Sequence, residues 1–225
     1  MNVTPIKSCS ICDELHNNES GLFYSNLRDK FRKMGIKSRI LYEDSQFVVM
    51  PSLGAISACH LLILPKQHVS SFALLDDDLL NLAEMVIQKV AEIIREKYGG
   101  CVVFEHGTLN DKMLSSASCN HAHMHIVSCS QSIISLMEKD GLVMREINKL
   151  SELRDQVKRE KPYLYYFETN GQAFVMDDII QTSQYMRILI ANELGRREKG
   201  DWKSNFGISE VKQMILEMGG ELRKL

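Results

Sequence analysis

Histidines 121, 123 and 125 alternate with Ala122, Met124 and Ile126, and the run closes on Val127. A period of two is the signature of a β-strand, whose successive side chains point to opposite faces. The segment is therefore expected to be a strand with an apolar face for a core. Its other face carries three imidazoles at about 7 Å intervals. Rings so placed can serve one site as nucleophile, metal ligand and phosphate contact.

The rest of the chain reads as strands, one long helix, more strands, and then a mixed tail. Strands are expected at Arg39 to Glu43, Phe47 to Pro51, His60 to Leu64 and Cys101 to Glu105, each short, apolar and bounded by turn formers. The clearest helix runs from Asp76 to about Tyr98. Asp76 to Asp78 cap its start, and Leu79, Leu82, Ala83, Val86, Val90 and Ile93 repeat at helical spacing. Gly99-Gly100 stops it. A shorter helix is expected from Leu22 to Met34, ending at Gly35.

Past Ser130 the composition shifts. A charged helical stretch over Ser151 to Lys161 ends at Pro162. Tyr163 to Phe167 and Gln172 to Met176 flank Thr169-Asn170-Gly171, and Asn-Gly between apolar runs signals a hairpin. Helices are expected from Thr182 to Leu194 and from Ser209 to Met218, closed by Gly195 and by Gly219-Gly220. This gives an α+β fold: an antiparallel sheet of about five strands with helices on one side, extended by a C-terminal hairpin and helices. Residues 1–134 form the expected first domain and 135–225 the extension.

Lys plus Arg number 27 and Asp plus Glu 29, a net charge of −2, so no general attraction to nucleic acid is indicated. The N-terminus lacks the apolar stretch of a secretory signal, and no apolar run is long enough to span a bilayer. Six cysteines at scattered positions do not form a disulfide framework. The expectation is a reduced, cytoplasmic protein with no membrane partner.

Cys9-Ser-Ile-Cys12 has the spacing by which two thiolates grip one tetrahedral metal, and is expected to be an irregular knuckle. A redox pair and two unconnected thiols are the alternatives. The histidine array has three readings from spacing alone. All three rings can be metal ligands; a neutral imidazole can attack phosphorus; or a strand can simply carry polar residues on its wet face.

The segments His60-Leu-Leu-Ile-Leu-Pro-Lys-Gln-His68 and His121-Ala-His-Met-His-Ile-Val127, in this order around the long helix, resemble the histidine triad family of nucleotide hydrolases and transferases. The resemblance covers about residues 9 to 130. It implies a covalent nucleophile at His123, a phosphate contact at His125, a hydrogen-bonding partner at His60 and a phosphate-contacting Ser118. In the zinc-containing branch it implies a structural Zn²⁺ held by Cys9, Cys12, His68 and His121. The implied activity is hydrolysis at the α-phosphate of a nucleotide substrate through a nucleotidyl-histidine. Dinucleoside polyphosphates, phosphoramidates and nucleotide sugars are the candidate substrates. A nucleotidyltransferase or phosphorylase, or a non-catalytic nucleotide- or RNA-binding module, is the alternative, and relatives of this kind are often homodimers.

Departures from the pattern bear on the substrate. Ala117 stands where many relatives have Gln, Ser128 where many have Pro, and Phe104-Glu105-His106-Gly107 replaces an Asn-rich segment. Glu105 and His106 also read simply as the polar end of a strand. The tail, with Tyr165-Tyr-Phe, Arg187 and Trp202, loosely resembles the C-terminal part of CwfJ-type proteins. That likeness implies a tail that covers the nucleotide pocket or binds RNA, with Arg187 and Trp202 as candidate contacts; the alternative is a hairpin and helix packed against the core with Trp202 buried.

Overall fold

The computed structural model describes residues 9–109, 120–168, 170–178 and 182–225. Its helices are α1 (Ser10–Leu15), α2 (Leu22–Lys33), α3 (Asp77–Tyr98), α4 (Ile134–Lys139), α5 (Arg154–Lys158), α6 (Tyr185–Glu193) and α7 (Ile208–Leu222). Its strands are β1 (Tyr42–Glu43), β2 (Phe47–Pro51), β3 (His60–Pro65), β4 (Val102–Gly107), β5 (Met124–Val127), β6 (Arg145–Ile147), β7 (Tyr163–Phe167) and β8 (Ala173–Asp177). All eight join one sheet in the order β1-β2-β3-β5-β4-β7-β8-β6, and every pairing is antiparallel.

The α+β class stands, but the sheet is longer than the expected five strands. The reason is β4, whose second edge is taken by β7 in the register Glu105↔Tyr165 and Gly107↔Tyr163. The C-terminal hairpin thus continues the sheet. A bare Cβ suffices to show how close that pairing is: one added at Gly107 would lie 2.1 Å from the Tyr163 ring.

Helices cover both faces, not one. Every residue of β2, β3 and β4 is buried, which is the pattern of strands covered on both sides. Val49, Leu61, Ile63, Val103, Met124 and Ile126 meet Leu80, Ala83, Val86, Ile87, Val90 and Ile94 of α3, with Met214, Met218 and Leu222 of α7. Each large aliphatic so buried contributes about 1.5–3 kcal/mol against exposure. On the opposite face Val102, Phe104, Val127, Leu164, Tyr166 and Met176 pack with Met186, Ile190 and Ala191 of α6 and Met137 of α4.

Local signals explain most boundaries. The Asp76 carboxylate accepts from the Leu79 N–H at 2.9 Å, and Gly99 closes α3 at φ 80°. By contrast α7 runs through Gly219-Gly220, expected to stop it, because Met218 and Leu222 on either side are both buried. Tertiary packing here outweighs the roughly 1 kcal/mol helix penalty of a glycine. The Cys9–Cys12 knuckle is also more regular than expected: Cys9 caps α1, its Sγ accepting the Cys12 N–H at 3.4 Å. β6 and α4, short and weakly patterned, were not expected from the sequence.

Candidate functional site

The histidine strand begins at Met124, so His121 and His123 precede the regular ladder. His125 lies opposite Leu62 of β3 and Phe104 of β4, and its ring stacks on Phe104 at 4.4 Å between centroids. His123 and His125 stand 4.8 Å apart, and both line a cleft with Ile11 and Glu14 of α1, Phe23 of α2, Ser52, Leu53, Arg187 and Trp202. The cleft holds about 560 Å³ of empty space, part of it open to solvent.

Hydrogen bonds fix the tautomers. A carbonyl oxygen only accepts, so His123 must donate its Nδ1–H to the His121 carbonyl at 2.7 Å. In the neutral ring this leaves a lone pair on Nε2. Burial pushes His123 down to about 4, an effect reinforced by the charge of Arg187 and opposed by the bond to the His121 carbonyl. The ring is therefore neutral at pH 7, and only half-buried, at the cleft wall.

His60 and His125 form a relay behind it. The Ile56 N–H points to His60 Nδ1 at 3.4 Å, so the His60 proton sits on Nε2 and is donated to His125 Nδ1 at 2.8 Å. The proton of His125 is then on Nε2, as a donor. Burial holds both rings well below the usual histidine range, with Arg187 adding to it.

His121 turns away from this relay. It donates Nε2–H to the Pro65 carbonyl at 2.8 Å, which leaves Nδ1 as the basic nitrogen. That atom lies 3.7 Å from Cys9 Sγ, 3.4 Å from Cys12 Sγ and 3.3 Å from His68 Nδ1, while Cys12 Sγ and His68 Nδ1 are 3.2 Å apart. All four ligand atoms fall within 4.8 Å of one another. A tetrahedral ion with metal–nitrogen bonds near 2.0 Å and metal–sulfur bonds near 2.3 Å has edges of about 3.3 Å (N to N) and about 3.5 Å (N to S). The donor set fits such an ion in both chemistry and size.

Of the expected site residues, His123 and His125 thus line one cleft with His60 hydrogen-bonded behind His125, and Cys9, Cys12, His68 and His121 meet in a separate cluster. Ser118 lies outside the described residues. Glu105 and His106 separate: Glu105 points to the α3 face, where its carboxyl oxygens accept from Phe72 N–H at 2.9 Å and from Tyr163 O–H at 2.5 Å. His106 points to the histidine face. Burial holds it near 3, and its Nε2 has no partner among the described residues. Arg187 is buried in the cleft wall, and Trp202 packs edge-on to Phe23 at 5.9 Å and against Phe206 at 5.8 Å.

Three contributions were not anticipated from sequence. Arg39 makes a buried bidentate pair with Glu14, its Nε and Nη2 each 2.7 Å from a carboxylate oxygen, which ties α1 to the sheet. Phe23 supplies part of the aromatic wall, and Ser52 part of the polar rim. None has a motif; α2 gave only a helical period, from which a cleft-facing Phe cannot be told from a core one. No helix among the described residues is long and apolar enough to cross a membrane.

Comparison with known proteins identifies the family. A family model described as "Scavenger mRNA decapping enzyme C-term binding" matches residues 25–139. Among solved structures, the chain is similar to a HIT family hydrolase from Clostridium thermocellum (19% identity, covering 55% of this chain and 92% of that one, TM-score 0.35). It is also similar to a histidine triad nucleotide-binding protein from Candida albicans (16% identity, 68% and 99% covered, TM-score 0.36). A Hit-like protein from Bartonella henselae matches at 19% identity, with 64% and 98% covered and a TM-score of 0.37. With the family segment spanning half of its length, the chain belongs to the scavenger decapping C-terminal family and, through it, to the histidine triad proteins.

Proposed function

We propose that the protein is a nucleotide hydrolase acting at the α-phosphorus of a nucleoside phosphate derivative. The observation that carries this reading is the His123 bond to the His121 carbonyl, which leaves the Nε2 lone pair in the cleft beside His125. Nε2 attacks phosphorus and forms a P–N bond as the bond from phosphorus to the leaving oxygen breaks. The leaving group departs with that electron pair. The Nδ1–H, held by the carbonyl, keeps the resulting phosphoimidazolium oriented. His125, with its proton directed to Nε2 by His60, donates to a phosphate oxygen as charge develops there. Water then attacks phosphorus, the P–N bond breaks, the pair returns to His123 Nε2, and the water's second proton passes to solvent.

Dinucleoside polyphosphates lead the substrate classes, because the matched family is described as a decapping enzyme; phosphoramidates and nucleotide sugars share the same reacting atom. The metal that Cys9, Cys12, His68 and His121 would hold is Zn²⁺, whose preference for thiolate and imidazole fits all four donors. Closed by four protein ligands, it would serve as a cross-link that fixes His121, two residues from the nucleophile.

The test is chemical trapping. Incubation with a panel of α-³²P-labelled dinucleoside polyphosphates and an alkaline quench should yield an acid-labile protein adduct. That adduct and turnover should both disappear in His123→Asn. Full turnover by this variant would dispose of the nucleophile.

A further inference from the structure

One charge in the cleft comes from neither the histidine strand nor the segment that matches the family. Arg187 of α6 is only 3% exposed, yet it lines the cleft beside His123 and His125. It donates from Nε to the Gly200 carbonyl at 3.3 Å, from Nη1 to Ser52 Oγ at 3.3 Å, and from Nη2 to the Gly54 carbonyl. All three acceptors are neutral. A guanidinium has five N–H donors, so three bonds leave two without an acceptor among the described residues.

Among the described residues, no carboxylate is hydrogen-bonded to it. Arg39, the other cation on the cleft, already has Glu14 as a bidentate partner. The acid whose field reaches Arg187 is Asp201, an exposed residue whose Oδ1 is taken by the Gln184 amide at 2.8 Å and the Lys203 N–H at 3.0 Å. Burying an ion without a partner costs several kcal/mol. A site that retains one at the wall of an open cleft is built for an anion that arrives from outside.

We propose that Arg187 binds a phosphate group of the substrate, so that α6 completes the nucleotide site. The inference rests on the nucleotide reading above, but not on a covalent intermediate. A planar guanidinium with two N–H groups still to use suits two oxygens of one phosphate or of neighbouring phosphates. The same rigid fork, held on Gly54 and Ser52, sets where the phosphate chain lies relative to His123.

The experiment measures binding by titration calorimetry on the full-length, metal-loaded protein, with AMP, inorganic pyrophosphate and adenosine as probes. Arg187→Met should weaken AMP and pyrophosphate at least tenfold and leave adenosine unchanged. Arg187→Lys, which keeps the charge but loses the fork, should fall between. An Arg187→Met protein that melts like the wild type and binds AMP equally well would overturn the proposal. If that variant does not fold, Arg187→Lys decides: a threefold or greater loss of AMP affinity supports the role, and unchanged affinity removes it. Wild-type protein that binds neither AMP nor pyrophosphate would also overturn it. A phosphate-binding defect in Arg187→Met without any His123 adduct would sink the catalytic reading alone; a normal adduct with unaltered binding would sink this one alone.

Discussion

Glu105 offers a sharp quantitative prediction. Its carboxyl is 1% exposed under the sheet, and burial raises it to about 8, against an ordinary value of 4.5. The bonds from Tyr163 O–H and Phe72 N–H oppose that rise without cancelling it. Between these two values the folded protein holds a proton that the unfolded chain has released. The stability that Glu105 contributes is therefore fully present below pH 4.5 and is lost as pH rises to about 8, the reverse of a salt-bridged carboxylate. At about 1.4 kcal/mol per pH unit the span corresponds to roughly 5 kcal/mol, an upper limit because a buried site can take up water when it ionises. The perturbation is Glu105→Gln, which keeps an acceptor for Phe72 N–H and cannot ionise. The assay is urea unfolding at half-unit steps from pH 5 to 8.5, followed by the fluorescence of Trp202, the single tryptophan. The wild-type-minus-variant difference cancels the other titrating groups and should drop by at least 2 kcal/mol across the range. A flat difference would show that Glu105 is ionised in the fold and refute the reasoning.

Three further outcomes follow from the same contacts. Gly54 sits at φ 60°, and a Cβ there would lie 2.7 Å from the backbone of Trp202; Gly54→Ala should cost about 1–3 kcal/mol in urea unfolding and weaken AMP binding, since it shifts an acceptor of Arg187. Arg39→Met leaves Glu14 buried without its cation and should cost about 3–5 kcal/mol, most of it recovered in the double variant with Glu14→Gln; no recovery would mean that the pair is not what holds α1. Metal analysis should give about one equivalent of zinc, lost in Cys9→Ser. Chelation should speed amide exchange over residues 10–15 before it affects α3, whereas uniform exchange across the chain would argue against a local cross-link.

Local elements were more legible in the sequence than their long-range neighbours. Alternation put His123 and His125 on one cleft wall, but the regular strand begins only at Met124, and His121 ahead of it turns away to the Pro65 carbonyl. Asp76 and Gly99 bracketed α3, because capping is local. What stayed hidden depends on partners distant in sequence. Nothing in Tyr163 to Phe167 announces that its neighbour is β4 rather than a separate small sheet. Gly219-Gly220 reads as a stop until α7 has a surface on which to lay Met218 and Leu222. A polar strand end at Glu105 and His106 was legible in the sequence. That the first meets a tyrosine hydroxyl and the second the histidine face was not.

The docking of β7 on β4 has a consequence for association. The outer rim of β4 is paired with β7 from Val103 to Gly107, so another molecule cannot extend the ladder there. The rims that remain belong to β1, two residues long, and β6, three residues long. Neither offers enough contiguous main chain to template a foreign strand. Through these two rims a second copy finds little main chain to pair with, and the histidine strand stays enclosed within the sheet.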